Sequence, residues 1–241
     1  ADPVSVDELP EVARLSGSPE FRRFSFVHAL NIRSTVSLVA QELEMAVAEL
    51  RLVVAHLGAG FSIAAVDRGR IIDNSNRMEC SPFTPERTGG LPPISLIDAC
   101  YSGKWEKAEL LQKLYGQGGV YAYLGTRDMR EVEKRIESGD QEASLVYDAM
   151  LYQINKAIGA MASTMEFNVD GIVLTGGLAN SKKLTNRLNS KLERLAPVFI
   201  FAGSNENEAL AKATLTALEE EGDYMDWPIS IDTPSLANVQ T

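Results

Sequence analysis

This 241-residue sequence has little of several features, and each scarcity narrows the range of functions. No apolar run approaches the roughly 20 residues that a membrane-spanning helix needs, so we expect no membrane partner. Acidic residues outnumber basic ones by 33 to 23, and the net charge of −10 argues against nucleic acid as a partner. The only cysteines, Cys80 and Cys100, lack the spacing of a metal or redox motif. Reduced thiols and a first segment without a signal-peptide pattern predict a cytoplasmic location.

The periodicity of the apolar residues predicts an α/β fold. Three short strands at residues 52–57, 61–66 and 70–73 form an antiparallel meander. Helices are predicted at 7–15, 28–50, 94–101, 106–115, 127–137 and 141–165, the last with a buried apolar stripe that includes Leu145, Met150, Ile154, Ile158 and Met161. Strand, helix, strand and helix then alternate at 169–175, 180–195, 198–201 and 206–219, which implies parallel β-α-β units. This order resembles one RNase-H-like lobe of the actin, hexokinase and heat-shock-ATPase superfold, whose second lobe we expect to be missing here.

The first motif that carries chemistry is a strand, a Gly-x-Gly turn and a second strand at residues 55–62. Gly58 and Gly60 permit a tight turn and let backbone N–H groups approach a phosphate without an intervening Cβ. His56 ends the first strand, and His28 is the only other histidine. An ordinary β-turn beside a structural histidine is the alternative interpretation of these residues.

The second motif is a proline- and glycine-rich segment, residues 81–92, that contains Arg87. Its composition predicts a rigid loop that holds a guanidinium, whose planar fork of donors suits phosphate or carboxylate. A surface loop with a solvated arginine is an equally good interpretation.

Two further motifs follow predicted strands in the last third of the sequence. Gly176 and Gly177 precede a helix capped by Asn180 or Ser181, and a helix N-terminus behind a strand favours an anion or nucleotide. A tight strand-to-helix turn in a protein core is the alternative. Glu208 lies in the acidic first turn of the last helix, where it either complements the helix dipole or holds Mg²⁺ through water.

Six segments, taken in order, resemble butyrate kinase, of the acetokinase family that also contains acetate and propionate kinases. They are His-Ala-Leu-Asn at 28–31, His-Leu-Gly-Ala-Gly at 56–60, Pro-Phe-Thr-Pro-Glu-Arg-Thr-Gly-Gly-Leu-Pro at 82–92, Tyr-Leu-Gly-Thr-Arg-Asp at 123–128, Leu-Thr-Gly-Gly-Leu-Ala-Asn-Ser at 174–181 and Glu-Ala-Leu-Ala at 208–211. The resemblance implies a kinase that transfers the γ-phosphoryl group of ATP reversibly to a short-chain fatty acid such as butyrate, with Mg²⁺, giving an acyl phosphate and ADP.

The resemblance also implies roles for the residues of these motifs. His56 and Arg87 are expected to stabilise the transferring phosphoryl group, with His28 as a supporting histidine. Asp2 resembles the aspartate at the hinge between the two lobes. The nucleotide would be bound by the phosphate hairpin and the adenosine-side turn, through Gly58, Gly60, Gly176, Gly177 and Asn180. Glu208 matches the glutamate that is associated with Mg²⁺.

The sequence departs from the family pattern in several places. The N-terminal lobe, with its Asn-Pro-Gly phosphate hairpin and a second arginine, is absent, and residues 77–81 replace an Asp-Gly-Glu-Gly run. Ala59 replaces a hairpin glycine, which would weaken phosphate binding if the position requires a positive φ. The small apolar residues before the two histidines, Val27 and Ala55, lead us to expect room for an acid longer than acetate.

The expected organisation is a hinge-side segment with a short helix at 1–27, a nucleotide-binding and dimerisation lobe at 28–219, and a flexible tail at 220–241. Expected partners are the carboxylate substrate, a second copy in a homodimer, and a separate chain that could supply the N-terminal lobe. The alternative function is a catalytically inactive nucleotide-binding or interaction module. A sugar kinase of the same fold would need an aspartate base, which we do not identify in the sequence.

Overall fold

The computed structural model of this chain describes residues 2–3, 9–21, 23, 25–75, 81–203, 210–211, 214–215 and 218. The chain divides into two compact units, Ala1–Glu206 and Asn207–Thr241. The described residues of the second unit are helical, in agreement with the predicted helix there, whereas the predicted tail at 220–241 lies outside the described residues. In the described ranges, no helix combines the length and apolarity needed to cross a bilayer.

A five-stranded mixed sheet forms the centre of the first unit. Strands β1 (Asp2–Pro3) and β2 (Phe26–Val27) form a separate ribbon that was not predicted, and the main sheet contains β3 (Arg51–Leu57), β4 (Phe61–Asp67), β5 (Arg70–Asn74), β6 (Gly171–Gly176) and β7 (Val198–Ala202). The order in the main sheet is β5-β4-β3-β6-β7. Strands β3, β4 and β5 pair antiparallel, and β3, β6 and β7 run parallel. The predicted RNase-H-like arrangement, a meander followed by β-α-β units, is therefore confirmed.

Eight α-helices are described. They are α1 (Glu11–Arg14), α2 (Ala29–Glu42), α3 (Pro93–Tyr101), α4 (Lys107–Leu114), α5 (Gly119–Leu124), α6 (Met129–Glu137), α7 (Gln141–Ser163) and α8 (Lys182–Leu192), with short 3₁₀ helices at Val47–Glu49 and Gly177–Asn180. The helix predicted at 28–50 is too long, because α2 ends at Glu42 and Glu44 adopts a left-handed φ of 52°. The helix predicted at 7–15 is also shorter, and α5 was not predicted at all.

The sheet is buried on both faces, and this explains why its central strands are almost entirely apolar. Alternate residues of β3 point to opposite sides, so that Val53 and Leu57 join the core beneath α7 whereas Leu52 and Val54 join the core beneath α2. One residue of the buried stripe predicted for α7 is wrong. Leu145 is 70% exposed, and the two residues after it, Val146 and Tyr147, are buried instead.

A half-buried carboxylate joins the three helices α6, α7 and α8. Glu133 accepts a hydrogen bond from the hydroxyl of Tyr147 at 2.8 Å and another from that of Ser181 at 2.6 Å. Burial, together with this hydrogen bond to Glu133, raises the pKa of Tyr147 well above its usual range. Ser181 also caps α8 by accepting from the N–H of Leu184 at 3.1 Å. The beginning of α8 is thereby fixed relative to the core.

Two adjacent glycines at the end of β6 should respond very differently to substitution. Gly176 has φ of 87° and ψ of 177°, a conformation that is open essentially to glycine alone, and an added Cβ would lie 2.5 Å from the carbonyl oxygen of Leu57. Gly176→Ala should therefore lower the free energy of unfolding by roughly 3 kcal/mol or more.

Gly177→Ala is the matched control, because a Cβ at that residue would meet no atom within 4 Å. Its free energy of unfolding should stay within about 0.5 kcal/mol of the original value. Urea denaturation of both variants measures the difference, and similar losses in the two would contradict this account of the turn.

Candidate functional site

The predicted motifs converge at one edge of the sheet, where β3, β6 and β7 end. His56 near the end of β3 is in register with Thr175 of β6. Gly176 and Gly203 exchange backbone hydrogen bonds of 2.9 and 3.0 Å, so the chain leaves β7 beside the end of β6. Ligands of open α/β sheets bind beyond the carboxyl ends of the strands, and this edge is therefore the candidate site.

The two histidines of the chain lie in direct contact. His28 immediately precedes α2, and its ring stacks on that of His56 with 4.1 Å between ring centroids and 20° between planes. Ser62 of β4 is directly opposite His56 in the antiparallel pair. Its hydroxyl oxygen lies 2.9 Å from Nδ1 of His28 and accepts the backbone N–H of His28 at 3.3 Å. Helix α2 and the hairpin therefore position both rings.

His56 is a buried histidine whose second contact is an amide. Nδ1 of His56 lies 2.8 Å from Oδ1 of Asn31, which belongs to the first turn of α2. Burial, and to a smaller extent repulsion from His28, lowers the pKa of His56 from 6.5 to about 3. The imidazole is therefore neutral at physiological pH.

The Gly-x-Gly turn joins β3 to β4 and contains one exposed residue, Ala59. The N–H of Gly58 donates to the carbonyl of Gly60 at 3.2 Å, whereas the N–H groups of Ala59 and Gly60 have no acceptor among the described residues. Ala59 does not adopt a positive φ, so the alanine at this hairpin position introduces no backbone strain. A Cβ added to Gly58 would lie 3.4 Å from Nε2 of His56, which shows that this ring nitrogen faces the hairpin.

The loop that carries Arg87 is held in place by backbone hydrogen bonds. Thr84 donates from its hydroxyl to the carbonyl of Ala59 at 2.7 Å, and its own backbone N–H donates to the carbonyl of Arg87 at 2.9 Å. The start of α5 donates to the loop through the N–H of Val120, 3.0 Å from the carbonyl of Thr84. The predicted rigid loop is thus present, and it is attached directly to the Gly-x-Gly turn.

The guanidinium of Arg87 packs against the hairpin. A Cβ at Gly60 would overlap Nη1 of Arg87 and lie 2.9 Å from its Cζ, so only glycine permits this approach. In the part of the chain that the structure describes, no carboxylate forms an ion pair with Arg87, and the neighbouring Glu86 pairs with Arg127 at 3.0 Å instead. The hairpin therefore contacts a buried neutral histidine and an arginine that has no counter-charge among the described residues.

The turn after β6, which contains Gly176 and Gly177, has an open surface. Gly177 is exposed, and a Cβ there would meet no atom within 4 Å. Of the two predicted helix caps, Ser181 is the one observed, whereas the side chain of Asn180 donates to the carbonyl of Gly177 at 3.0 Å. The nucleotide contacts of Gly177 and Asn180 stay predictions.

The side chains of two predicted site residues, Asp2 and Glu208, lie outside the described part of the structure. The backbone of Asp2 pairs with Val27 in the β1–β2 ribbon, whereas the backbone of Glu208 is not described either. Among the described residues, no group of three histidine, cysteine, aspartate or glutamate side chains could hold a metal ion. Val27 and Ala55 are completely buried, so neither side chain borders open space in this structure, and the expected room for a longer acid stays a prediction.

Three residues that contact the site were not predicted, namely Asn31, Ser62 and Thr84. Asn31 lies three residues after His28, a spacing that places both on one helix face, so a signal for it was available. Ser62 follows from the hairpin register in the same way. No sequence signal connects Thr84 to the hairpin, because that hydrogen bond joins residues 25 positions apart.

Comparison with known proteins gives a consistent family assignment. The sequence profile of the acetokinase family matches residues 19–217. The chain is 48% identical over 217 residues to probable butyrate kinase 2 of Caldanaerobacter subterraneus subsp. tengcongensis, covering 90% of this chain and 61% of that protein. It is 42% identical over 227 residues to the probable butyrate kinase of Listeria monocytogenes serotype 4a, covering 92% and 64%. The chain thus spans about three fifths of the length of these relatives.

Solved structures with the same architecture include two carboxylate kinases. Porphyromonas gingivalis acetate kinase superimposes with a TM-score of 0.79 at 23% identity, covering 87% of this chain and 61% of that chain. A propionate kinase from Francisella tularensis gives a TM-score of 0.74 at 24% identity, covering 85% and 60%. At such identities the likeness establishes the fold and nothing further.

The low pKa of His56 should make the stability of the chain depend on pH. Between pH 6.5 and 3, His56 binds a proton in the unfolded chain but not in the folded chain. Protonation therefore favours the unfolded chain, and the free energy of unfolding is unaffected above pH 6.5 and decreases as the pH falls below it. From pH 7.5 to 5.5, the contribution to the free energy of unfolding should fall by about 1 kcal/mol. His56→Gln should remove that component, measured by urea denaturation at both values.

Both measurements stay above the isoelectric point near 4.8, where association would interfere. The exposed substitution Ser37→Ala serves as the control and should retain the original pH dependence. An unchanged pH dependence in His56→Gln would show that the ring is not held neutral by the fold.

Proposed function

This chain belongs to the acetokinase family, and from that premise we propose that it is the nucleotide-binding lobe of a carboxylate kinase. The proposed reaction is reversible transfer of the γ-phosphoryl group of ATP to a short-chain fatty acid such as butyrate, giving an acyl phosphate and ADP. Relatives that are 42–48% identical are named probable butyrate kinases, which supports this acid class. Because the chain spans about three fifths of their length, activity requires residues that the relatives carry elsewhere, in the same or a separate chain.

The observation that carries the proposal is the approach of His56 and Arg87 to one hairpin, beside Gly58 and Gly60 respectively. A short carboxylic acid has a pKa of about 4 to 5, like Asp or Glu, and is ionised at neutral pH, so no base is needed to activate it. What the reaction needs is an aligned phosphoryl group whose negative charge is stabilised. The Arg87 guanidinium, His56 and the backbone N–H groups of residues 59–60 supply donors for that purpose.

The nucleotide would extend from this hairpin to the turn after β6. Gly177 leaves open space there, and α8 begins with its first N–H groups beside the turn. Glu208 is proposed to hold Mg²⁺, which would offset the charge of the nucleotide phosphates when bound. Asp2 and Asn180 are proposed as the hinge aspartate and a nucleotide contact, respectively.

A homodimer in the cytoplasm is part of the proposal. Helix α3 is rich in apolar residues but has none that is buried, and Ile94, Ile97 and Tyr101 are all more than half exposed. An apolar helix without a covering element among the described residues favours an interface, since such surfaces are unusual on monomers. We propose that a second copy of the chain covers it.

Formation of acyl hydroxamate tests the proposed reaction directly. The chain is incubated with ATP, Mg²⁺ and acetate, propionate, butyrate or isobutyrate, alone and with the N-terminal part of a butyrate kinase relative. Hydroxamate from butyrate or isobutyrate is the expected result, and the fastest acid identifies the substrate. Nucleotide binding without product under all conditions would instead support a catalytically inactive nucleotide-binding module. Sugar-dependent ATP hydrolysis would indicate a sugar kinase.

Gly60→Ala should reduce turnover without unfolding the chain. The new Cβ overlaps only the mobile end of the Arg87 side chain, so the guanidinium leaves the hairpin while the backbone stays in place. Loss of one donor to the phosphoryl group should slow hydroxamate formation roughly 10- to 100-fold in the active preparation, as should Arg87→Ala.

The double variant Gly60→Ala/Arg87→Ala should be no slower than Arg87→Ala alone, because both changes remove the same contact. Gly159→Ala in α7 is the control for the loss of a glycine away from the site, because a Cβ there would meet no atom within 4 Å, and its turnover should match the original. Additive losses in the double variant would argue against a guanidinium placed by Gly60.

A further inference from the structure

The side-chain amide of Asn31 is buried and has only one hydrogen bond. Asn31 is 1% exposed, and in the structure its Oδ1 faces Nδ1 of His56 at 2.8 Å. Its Nδ2 is buried and has no partner among the described residues. A buried amide donor without an acceptor is rare in folded proteins and requires a physical explanation.

The orientation of this amide determines which ring nitrogen of His56 carries the proton. With Oδ1 toward the ring, Nδ1 must be the donor, and neutral His56 then presents a bare lone pair at Nε2. A half-turn of the Asn31 amide about χ2 exchanges Oδ1 and Nδ2 without moving any other group. Nδ2 then donates to Nδ1, and the proton of His56 lies at Nε2. Oδ1 moves to the place that has no partner among the described residues, and a buried carbonyl oxygen is left unpaired more often than a buried N–H group is.

We propose that Asn31 is a positioning residue that donates from Nδ2 to His56 and thereby makes the neutral imidazole an Nε2–H donor toward the phosphate hairpin. This inference rests on the proposed function, because the hairpin is where the transferring phosphoryl group would lie. Nε2 faces Gly58, so its protonation decides whether the ring attracts or repels a phosphoryl oxygen.

The surroundings of His56 favour a neutral donor over a charged one. The burial of His56 and the stacked ring of His28 both oppose a positive charge on the ring. Ser62 contacts His28 rather than His56, and no described carboxylate forms an ion pair or hydrogen bond with His56. An amide is the side chain that suits this environment, since it donates to Nδ1 without bringing a charge.

Nuclear magnetic resonance can read the tautomer directly, because the chain contains only two imidazoles. Long-range ¹H–¹⁵N correlation spectra of the ¹⁵N-labelled 241-residue chain at pH 7.5 separate protonated from unprotonated ring nitrogens, and His28→Gln assigns the pair. The expected result is His56 protonated at Nε2 alone. Protonation at Nδ1 alone, or at both nitrogens, would overturn the proposal without any need for a variant.

Asn31→Asp supplies the second measurement, because a carboxylate accepts but cannot donate. It should move the His56 proton to Nδ1 or protonate both nitrogens. Asn155→Asp is the matched control, since the amide of Asn155 donates to the carbonyl of Leu151 and not to a histidine. It should leave the His56 signals unchanged. Identical His56 spectra for Asn31→Asp and the original chain would contradict the assigned role.

Kinetics separate this proposal from the proposed function. In the active preparation, Asn31→Asp should lower kcat for acyl phosphate formation at least 10-fold with little change in the KM for ATP. If the chain makes no acyl phosphate but holds the His56 proton at Nε2, the proposed reaction fails and the Asn31 assignment stands. If the chain is active but the proton lies at Nδ1, the Asn31 assignment alone fails.

Discussion

The register of strand β3 is the constraint on which the rest of the site depends. It bonds to β4 on one side and to β6 on the other, and the pairings of His56 with Ser62 and with Thr175 fix where the ring lies. A slip of one residue would turn His56 to the opposite face and move Leu57 from the core beneath α7 to the core beneath α2. A polar ring would then lie in an apolar core, and the side chains of β3 would no longer fit their neighbours, so core packing also determines the geometry of the site.

Close backbone approaches then bring the remaining parts to that strand. Gly176 packs on Leu57, and Gly119 lies against the loop carbonyl of Thr84. Gly60 lets the guanidinium of Arg87 pack against the hairpin. At each of these positions the absence of a Cβ is what allows two segments to touch. These three glycines therefore set the distances between the segments that form the site. This distinguishes Gly176, which the fold requires, from Gly177, which leaves open space.

Much of the fold could be predicted because it is local in sequence. The meander, α7 and the alternating strands and helices follow from apolar periods, which act over a few residues. Helix α5 was missed because its N-terminal glycines favour a loop, and tertiary hydrogen bonds to the Arg87 loop offset that preference. For the site, His56, His28, Arg87 and the hairpin were identified and are brought together. The bond between Thr84 and Ala59 could not be found, because nothing in either segment specifies the other.

The distribution of charge in the site suits the proposed reversible reaction between anions. ATP, the carboxylate and the acyl phosphate of that reaction are all negative, and a site with two fixed cations beside the hairpin would bind both substrates and products tightly. Among the described residues that contact the hairpin, Arg87 carries the permanent positive charge, while burial keeps His56 neutral. A neutral donor contributes a directed hydrogen bond that strengthens as charge accumulates on the phosphoryl oxygens, with little attraction for a distant anion. Selective stabilisation of the transition state over the bound substrates is what accelerates transfer in both directions.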